Sequence, residues 1–366
     1  MRIGFDAKRV FNNFTGLGNY SRFVIDALSA YFPDNDYLLY TPKMREHPEV
    51  QKYLDLTIRQ PERGKLGAWW RTFSIADQIQ EDKLDVFHGL SNELPLRKPK
   101  GLKTVVTVHD LIFLRFPEYY GIVDVNIYKW KLRKACETAD VIIAVSKQTA
   151  NDLNDFLNVD PNKIKVVYQG CHPSFYRRSP AEDVQSVRAK YDLPDKFILY
   201  VGTLEKRKNS GLILKALATM EHKLPVVLVG KPTKYIADLE GIIKRYDLRD
   251  SVKFVYNATF ADLPAIYQSA SLFVYPSVFE GFGIPIVEAI ASGVPVITSN
   301  GSCFSEAGGP DCIYVNPSNP EELSDSMTMV LENSDLRDTM VDASARYIEK
   351  FAPRVIAGEL MKVYRL

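Results

Sequence analysis

Residues 274–300, which read VYPSVFEGFGIPIVEAIASGVPVITSN, decide the fold. Two short apolar runs flank a glycine-containing loop and a helical stretch, and such runs are typical of parallel strands covered on both faces. Gly281 and Gly283 allow the loop to turn sharply. Pro285 suits the start of a helix, and Gly293 suits the left-handed position after its end. The stretch therefore predicts a strand, loop, helix and strand of a parallel sheet.

The loop before the predicted helix suggests an anion site. Its N–H groups and the positive end of the helix dipole would meet at one point, which favours a phosphate. Glu280 and Glu288 flank this point. A carboxylate beside a phosphate is better aimed at hydroxyl groups, like the acid that holds a ribose in dinucleotide folds. The pattern suggests a nucleotide sugar, and the alternative is an ordinary unit whose acids cap or solvate a surface.

The string EGFGIPIVE, with seven residues between its two acids, resembles the signature of the family 4 retaining glycosyltransferases. These enzymes have the two-domain GT-B fold, and the resemblance extends along nearly the whole chain. It implies that Glu280 contacts hydroxyls of the donor sugar and that Glu288 holds the ribose of the nucleotide. It also implies that the backbone of Phe282, Gly283 and Ile284 binds the diphosphate.

Length and composition predict two globular domains. A chain of 366 residues is long for one core. Since 46 Lys and Arg balance 45 Asp and Glu, bulk charge argues against nucleic-acid binding. The four cysteines have no zinc-site spacing and fit reduced thiols. With no signal peptide or membrane-length apolar run in the sequence, we expect a cytoplasmic protein.

Short apolar runs alternate with helical stretches in both halves, which predicts an α/β protein with two Rossmann-like, doubly wound domains. We place the first domain at residues 1–172 and the second at 173–349, with a linker rich in Pro, Ser and charge near residues 170–196. The resemblance adds residues 350–366 to the first domain as a returning helix. Ligands bind beyond the carboxyl ends of parallel strands, so we expect the two domains to face each other across a ligand-binding cleft.

A basic turn follows the strand FILYVG. Arg207 and Lys208 would place cations where a diphosphate sits and would stabilise the departing nucleotide diphosphate. The segment resembles the donor clamp of the family. It departs from the common form because Thr203 stands where many members carry arginine, so Arg207 is the candidate for that duty. The alternative is a solvated basic turn.

The strand TVVTVHD ends in His109 and Asp110. A lone histidine at a strand end is more often a packing or capping residue, but the resemblance implies that His109 lies against the donor sugar. We assign Asp110 to positioning His109 or the acceptor. We also expect His88, at the end of DVFHG, to line the acceptor site, whereas Ser146 is most simply a helix N-cap.

A glycine loop follows the first predicted strand. Gly16 and Gly18 suggest a dinucleotide fingerprint, but Ser21 replaces its third glycine. In the family this loop closes over the diphosphate and the acceptor, and a plain tight turn is the alternative. Lys231 follows the strand PVVLVG in a turn, and Val255 ends the strand VKFVY, near where the family holds the nucleotide base through backbone contacts.

We predict no metal ion and no cofactor. The D-x-D motif at residues 34–36 precedes a strand and follows Phe32-Pro33, which is ordinary turn chemistry. Metal-dependent transferases of the other major fold carry such a motif after a buried strand. Arg207, Lys208 and helix N-termini would then carry the charge of the leaving group.

Two stretches, residues 63–73 and 128–134, mix basic and aromatic side chains. Such mixtures can seat a protein on an anionic membrane surface, where lipid-linked acceptors reside. The alternative is a helix whose lysines extend over buried Trp69, Trp70 and Trp130.

The function predicted is a cytoplasmic, metal-independent retaining glycosyltransferase, peripheral membrane contact being possible. It would move a hexose, which we expect to be mannose from GDP-mannose, to a saccharide or lipid-linked saccharide acceptor. UDP-glucose and UDP-galactose are the alternative donors. A nucleotide-sugar epimerase or hydrolase and a non-catalytic sensor are the alternatives from other classes.

Overall fold

The structure, a computed structural model, describes residues 1–61 and 67–366. The chain forms two compact units. Unit 1 comprises Met1–Gly170 and Pro353–Leu366, and unit 2 comprises Cys171–Ala352. The sequence predicts these boundaries at residues 172 and 350.

Unit 1 is built on a parallel sheet with the strand order β3-β2-β1-β4-β5-β6-β7 over the residues described. All of its strands but β3 lie in the apolar runs of the sequence. Strand β3 has three residues, too few for a detectable apolar run, and it forms the edge beside β2. The strands are β1 (Arg2–Asp6), β2 (Asp36–Tyr40), β3 (Thr57–Arg59), β4 (Val86–Gly89), β5 (Lys103–Val108), β6 (Val141–Ala144) and β7 (Ile164–Val166).

Helices join these strands. A segment with one π turn (Trp70–Ser74) connects the helix Gly67–Trp69 to the helix Ile75–Glu81. A C-terminal helix, Pro353–Arg365, also belongs to unit 1 and packs on α2. Short 3-10 helices lie at Pro48–Tyr53, Pro117–Tyr119 and Pro161–Lys163. The α-helices are α1 (Lys8–Asn12), α2 (Gly16–Tyr31), α3 (Gly67–Trp69), α4 (Ile75–Glu81), α5 (Ile112–Arg115), α6 (Ile122–Thr138) and α7 (Lys147–Leu157).

Unit 2 is built on a second parallel sheet, whose order in the part of the chain described is β10-β9-β8-β11-β12-β13. Two parallel, doubly wound sheets confirm the predicted fold class. The strands are β8 (Ile198–Val201), β9 (Val226–Val229), β10 (Val252–Val255), β11 (Leu272–Tyr275), β12 (Val296–Ser299) and β13 (Ile313–Val315).

The helices of unit 2 include α12, which begins directly after Gly283. Short 3-10 helices lie at Pro173–Tyr176, Lys206–Lys208, Arg249–Ser251 and Ile348–Phe351. The α-helices are α8 (Ala181–Lys190), α9 (Ser210–Thr219), α10 (Ile236–Arg245), α11 (Leu263–Gln268), α12 (Ile284–Ala291), α13 (Phe304–Gly308), α14 (Pro320–Glu332) and α15 (Ser334–Tyr347).

Each sheet changes its winding direction once, and this places the candidate sites. In unit 1 the chain winds outward from β1 to β3 and then returns to β4 on the other side of β1. In unit 2 it winds from β8 to β10 and returns to β11 on the other side of β8. The loops that follow the two central strands diverge at such a point, and this leaves a crevice for a ligand.

His88 lies in the core of unit 1, so the prediction that it lines an acceptor site is wrong. The side chain is fully buried in β4. Its Nδ1 lies 2.7 Å from the hydroxyl of Tyr364 on the C-terminal helix, and its Nε2 lies 2.8 Å from Thr107 Oγ1. Burial lowers the pKa of His88 to about 3, so the ring is neutral. It acts as a polar connection between the sheet and the C-terminal helix.

Replacing Tyr364 by Phe tests this connection. The substitution leaves a buried ring nitrogen of His88 without its partner, which should lower the free energy of unfolding by about 1–2 kcal/mol. Thermal or denaturant unfolding measures the change. Tyr31→Phe is the control because Tyr31 is exposed. Equal losses in the two variants would contradict a structural role for the His88–Tyr364 bond.

Candidate functional site

Two predicted segments of unit 2 come together at the point where its sheet changes direction. Strands β8 and β11 pair side by side, so the loops that follow them meet. The N–H of Val278 donates to the carbonyl of Arg207 at 2.9 Å, and Asn209 Nδ2 donates to the carbonyl of Pro276 at 3.0 Å. These bonds fix the basic turn against the loop that carries Glu280.

Glu280 is held through one of its two oxygens. Oε1 accepts from the hydroxyls of Tyr275 and Ser277, each at 2.9 Å. The same oxygen lies 3.0 Å from an Arg207 nitrogen and 3.3 Å from Lys208 Nζ. None of these four contacts uses Oε2, which leaves that oxygen as the one suited to accept from a ligand.

The surroundings of Glu280 keep it ionised. Burial alone would raise its pKa, but the charges of Lys208 and Arg207 and the two hydroxyl bonds lower the pKa to about 2. Arg207 also binds Glu205 at 2.6 Å and the carbonyl of Phe279. Lys208 Nζ bonds to the hydroxyl of Tyr275 at 2.9 Å. The two cations are therefore balanced by the two carboxylates Glu280 and Glu205.

Helix α12 begins directly after this cluster. Gly283 has φ 96°, the left-handed conformation that side chains disfavour, and Pro285 lies in the first turn of the helix. Phe282 is buried, with its ring centroid 5.4 Å from that of Phe351. Phe282, Gly283 and Ile284 therefore form the rigid entry to the helix N-terminus, where the positive dipole end favours an anion.

Glu288 lies in the second turn of α12 in a different environment. Its Oε2 accepts from the hydroxyl of Tyr267 at 3.0 Å. Its withdrawal from solvent raises the pKa of the carboxyl to about 7, although the Tyr267 bond and the charge of Lys208 oppose the shift. Of the two predicted acids, Glu280 is thus fully ionised near pH 7 and Glu288 is only partly so.

Two tyrosines that were not among the predicted site residues hold these acids. Tyr275 donates to Glu280, and Tyr267 donates to Glu288. The ring of Phe273 lies between them, 6.0 Å from Tyr275 and 5.3 Å from Tyr267 between centroids. Tyr275 lies in the quoted stretch and was available as a signal. Tyr267 is remote in sequence, on α11, and nothing in its local pattern indicated the contact.

Backbone hydrogen bonds join the turns after β9 and β10 to the same carboxyl end of the unit 2 sheet. Lys231 is exposed, and its carbonyl accepts from the N–H of Leu204 at 2.9 Å. The carbonyl of Val255 accepts from the N–H of Gly230 at 3.0 Å. A Cβ on Gly230 would lie 1.8 Å from the carbonyl oxygen of Gly202, so this approach requires glycine. A carbonyl oxygen has two lone pairs, so the Val255 carbonyl can accept one further hydrogen bond.

His109 in unit 1 is buried at the end of β5, with both ring nitrogens bonded. Nε2 lies 2.9 Å from the carbonyl of Leu90, so it carries the proton, and Nδ1 accepts from Gln169 Nε2 at 3.1 Å. Burial lowers the pKa of His109 to about 4. The ring of Tyr20 packs edge-on at 4.6 Å between centroids. Only the Gln169 bond joins side chain to side chain, and it is the one that a ligand can replace.

The glycine loop of unit 1 is organised by Asn13. Asn13 Oδ1 accepts from the N–H and hydroxyl of Thr15 at 2.9 and 2.7 Å and lies 3.3 Å from the N–H of Gly18. A Cβ on Gly18 would lie 1.7 Å from the carbonyl oxygen of Asn13, whereas a Cβ on Gly16 would meet nothing within 4 Å. Gly18 is thus required by packing. Gly16 is exposed at the helix start.

The smaller predictions have mixed outcomes. Ser146 is the N-cap of α7, since its side chain accepts from the N–H of Thr149 at 3.0 Å, and that prediction is confirmed. Asp110 accepts from the N–H of Ile112 at 3.0 Å. All four cysteines are unpaired and buried. Within residues 1–61 and 67–366 no group of three His, Cys, Asp or Glu is placed to hold a metal ion. Metal independence stays a prediction.

The aromatic residues of the two basic stretches differ in burial. Trp70 is 1% exposed, but Trp69 is 54% and Trp130 50% exposed. The alternative in which all three tryptophans are buried beneath lysines is therefore wrong. The part of the first stretch before Gly67 lies outside the described residues. No helix among those described is both long and apolar enough to cross a bilayer.

Comparison with known proteins identifies the family. The model described as Glycosyltransferase Family 4 matches residues 21–175, and the model described as Glycosyl transferases group 1 matches residues 183–347. Since the two models together span most of both units, the chain belongs to the family 4 glycosyltransferases and is an enzyme.

Individual relatives agree with this assignment. O-antigen chain mannosyltransferase B of Escherichia coli is 26% identical, over the full length of both chains. The serotype-specific mannosyltransferase WbdA of Escherichia coli is 31% identical over 63% of this chain and 29% of its own length. The crystal structure of Anabaena HepE in complex with UDP and glucose superposes with a TM-score of 0.77, at 18% identity and 99% coverage of both chains. That likeness shows the GT-B fold.

The raised pKa of Glu288 predicts a pH effect on stability. Between its ordinary pKa of 4.5 and about 7 the folded chain keeps a proton that the unfolded chain releases. The free energy of unfolding therefore falls as pH rises through this window. Glu288→Gln removes this pH dependence. The free energy of unfolding of the variant relative to the wild type should therefore rise by on the order of 2 kcal/mol from about pH 5 to about pH 8. Unfolding at both pH values measures it, with exposed Glu221→Gln as control; parallel curves for Glu288→Gln and the wild type would contradict the assignment.

Proposed function

We propose that the enzyme transfers a hexose, with retention of configuration, from a nucleotide diphosphate sugar to an acceptor hydroxyl in polysaccharide or glycolipid synthesis. The observation that carries the proposal is the cluster of Arg207, Lys208 and Glu280 at the start of α12. It offers two cations and a helix N-terminus to a diphosphate. Beside them stands an ionised carboxylate that accepts hydroxyl hydrogen bonds.

Each group has a role in this proposal. Arg207 and Lys208 stabilise the negative charge that grows on the departing diphosphate, so no metal ion is needed. Glu280 accepts from a hydroxyl of the donor sugar through Oε2, and Glu288 accepts from the ribose. His109 is neutral and offers Nδ1 to a sugar hydroxyl in place of Gln169. The departing phosphate oxygen takes the acceptor proton on the same face of the sugar, which gives retention.

We propose GDP-mannose as the donor. The support is that relatives over the full chain and over most of it are named mannosyltransferases. UDP-glucose or UDP-galactose is the alternative, since HepE was crystallised with UDP and glucose. A nucleotide-sugar epimerase or hydrolase would need a carboxylate base at the sugar ring. The charges of Lys208 and Arg207 help lower the pKa of Glu280 to about 2, which makes this carboxylate too weak a base for that role.

A panel of nucleotide sugars tests the donor. A ligand that binds only the folded state raises the unfolding temperature by mass action. GDP-mannose and GDP should give the largest shifts, and product analysis with a saccharide acceptor should show an α-linked hexose. A larger shift with UDP-sugars would move the assignment to the alternative donor. Free sugar released in place of transfer product would identify a hydrolase.

Glu280→Gln tests the sugar contact. The amide keeps the shape but loses the charge, so transfer should fall by about 10²-fold or more while nucleotide binding survives through Arg207 and Lys208. Steady-state kinetics and nucleotide titration measure the two effects. Glu240→Gln, in the exposed ion pair with Arg249, is the matched control. Transfer at the wild-type rate in Glu280→Gln would refute the sugar contact.

We also propose peripheral contact of unit 1 with an anionic membrane surface through α6. Leu132, Ala135 and Cys136 of this helix are buried, but Val123, Ile127 and Trp130 lie together on the opposite side and are exposed. Ile122, at the start of the helix, is 83% exposed. Four bases follow or flank this apolar face, which suits a surface of anionic lipid headgroups. They are Lys129, Lys131, Arg133 and Lys134.

Vesicle sedimentation tests the membrane contact. The protein should bind vesicles that contain about one third phosphatidylglycerol and bind phosphatidylcholine vesicles weakly. Ile127→Gln with Trp130→Gln should reduce binding to the anionic vesicles at least about tenfold, since two exposed apolar side chains that the bilayer would bury are lost. Leu54→Gln, at a similarly exposed apolar residue of unit 1, is the control. Undiminished binding of the double variant would contradict the role of α6.

A further inference from the structure

An uncompensated positive charge lies where the sheet of unit 1 changes direction. Strand β1 ends at Asp6, and Lys8 and Arg9 follow on α1, on the carboxyl side of the sheet. This is the crevice beside β4, the place where such sheets bind ligands.

The centre of this region is a nearly buried ion triad. Arg71, on the π turn that follows α3, donates to Asp6 Oδ2 at 2.6 Å and to Glu93 Oε2 at 2.5 Å. Its side chain is 14% exposed. Lys131 lies 3.8 Å from the other oxygen of Glu93. Taking such charges out of water costs free energy that their pairing only partly offsets, and π turns recur at functional sites.

Lys8 and Arg9 lie at the edge of the triad, whose two carboxylates already pair directly with Arg71. Both are half-buried, and over the residues described neither side chain forms an ion pair or a hydrogen bond. Burial lowers the pKa of Lys8, and the charges of Arg71 and Arg9 lower it further, against the opposing charges of Glu93 and Asp6. The region therefore has two positive charges in excess, from four cations and two carboxylates: Lys8, Arg9, Arg71 and Lys131 against Asp6 and Glu93.

The same region is built onto the loop that holds His109. The loop after β4 supplies Glu93 to the triad, and it supplies the carbonyl of Leu90 to the His109 ring and Asn92 Oδ1 to the His109 N–H. A Cβ on Gly89 would lie 2.1 Å from the carbonyl oxygen of Glu93, so the loop folds back tightly. The charge of Arg9 also lowers the pKa of His109, which shows that it acts at that ring.

We propose that Lys8 and Arg9 bind a phosphate group of the acceptor, so that the acceptor is a saccharide carried on a phosphate ester. An anion there would neutralise the two excess charges, and a guanidinium beside an ammonium suits phosphate oxygens. This rests on the proposed function, in which Arg207 and Lys208 of unit 2 already serve the diphosphate of the donor. A phosphate beside His109 then belongs to the other substrate.

Two synthetic acceptors that differ only in the phosphate test the inference. One is an octyl hexosyl phosphodiester and the other is the neutral octyl hexoside. In calorimetric titration the wild type should bind the phosphodiester at least about tenfold more tightly than the hexoside. Equal binding of the two, or no binding of the phosphodiester, would overturn the inference.

Substitutions then locate the site. Lys8→Gln and Arg9→Gln should each weaken phosphodiester binding about tenfold, while Lys8→Arg keeps most of it. Lys100→Gln is the charge-matched control. Lys100 is exposed and precedes the start of β5, so it lies at the amino end of the strands, away from Lys8 and Arg9. Unchanged affinity in both glutamine variants would refute the assignment, and circular dichroism of each variant checks that it is folded.

Nucleotide binding separates this inference from the proposed function. GDP and UDP affinities should stay within about twofold of the wild type in both glutamine variants. A weakened nucleotide affinity would show that Lys8 and Arg9 serve the donor, and it would overturn the inference while leaving the proposed function intact. A wild type that bound no nucleotide sugar would refute the proposed function itself.

Discussion

The ion cluster of Glu280, Arg207 and Lys208 is the interaction on which the candidate site depends. A carboxylate this far from water is stable only when it is paired and hydrogen-bonded, and Glu280 is, through four contacts to one oxygen. The same contacts fix the basic turn after β8 to the loop after β11. In the proposed function the donor diphosphate enters a field in which the two cations are already neutralised by Glu280 and Glu205. Binding must then exchange one set of anions for another, so the preorganised geometry supplies more of the affinity than net charge does.

Two histidines at the ends of neighbouring strands illustrate how burial separates structure from chemistry. Both are neutral, because burial lowers the pKa of each. His88 has a tyrosine and a threonine as partners, one of them on the C-terminal helix, and it serves the core. His109 has a backbone carbonyl on one nitrogen and a glutamine side chain on the other. Only His109 has a partner that a ligand hydroxyl can readily replace.

The two units use the same topology for different charge arrangements. At its change of direction the sheet of unit 2 gathers two cations and two acids in balance. The sheet of unit 1 gathers four cations and two carboxylates, so two positive charges are in excess. Both arrangements follow from the crevice that a doubly wound sheet leaves between diverging loops. Under the proposed function, the diphosphate of the donor replaces protein carboxylates as the partner of the two cations in unit 2. In unit 1, the phosphate of the acceptor neutralises the two cations in excess.

Local sequence determined the strands, the helix entry at Gly283 and the family, because these depend on apolar runs, glycine conformation and a contiguous motif. Strand β3 escaped detection since three residues carry too little periodicity. Only the tertiary structure decided that Tyr267 supports Glu288, that His88 is core and that Trp130 is exposed while Trp70 is buried. Those outcomes depend on residues distant in the chain, such as Tyr364 against His88, which no local pattern connects. It is burial by such remote partners that sets the pKa and the exposure of a side chain, and hence whether it serves the core or a ligand.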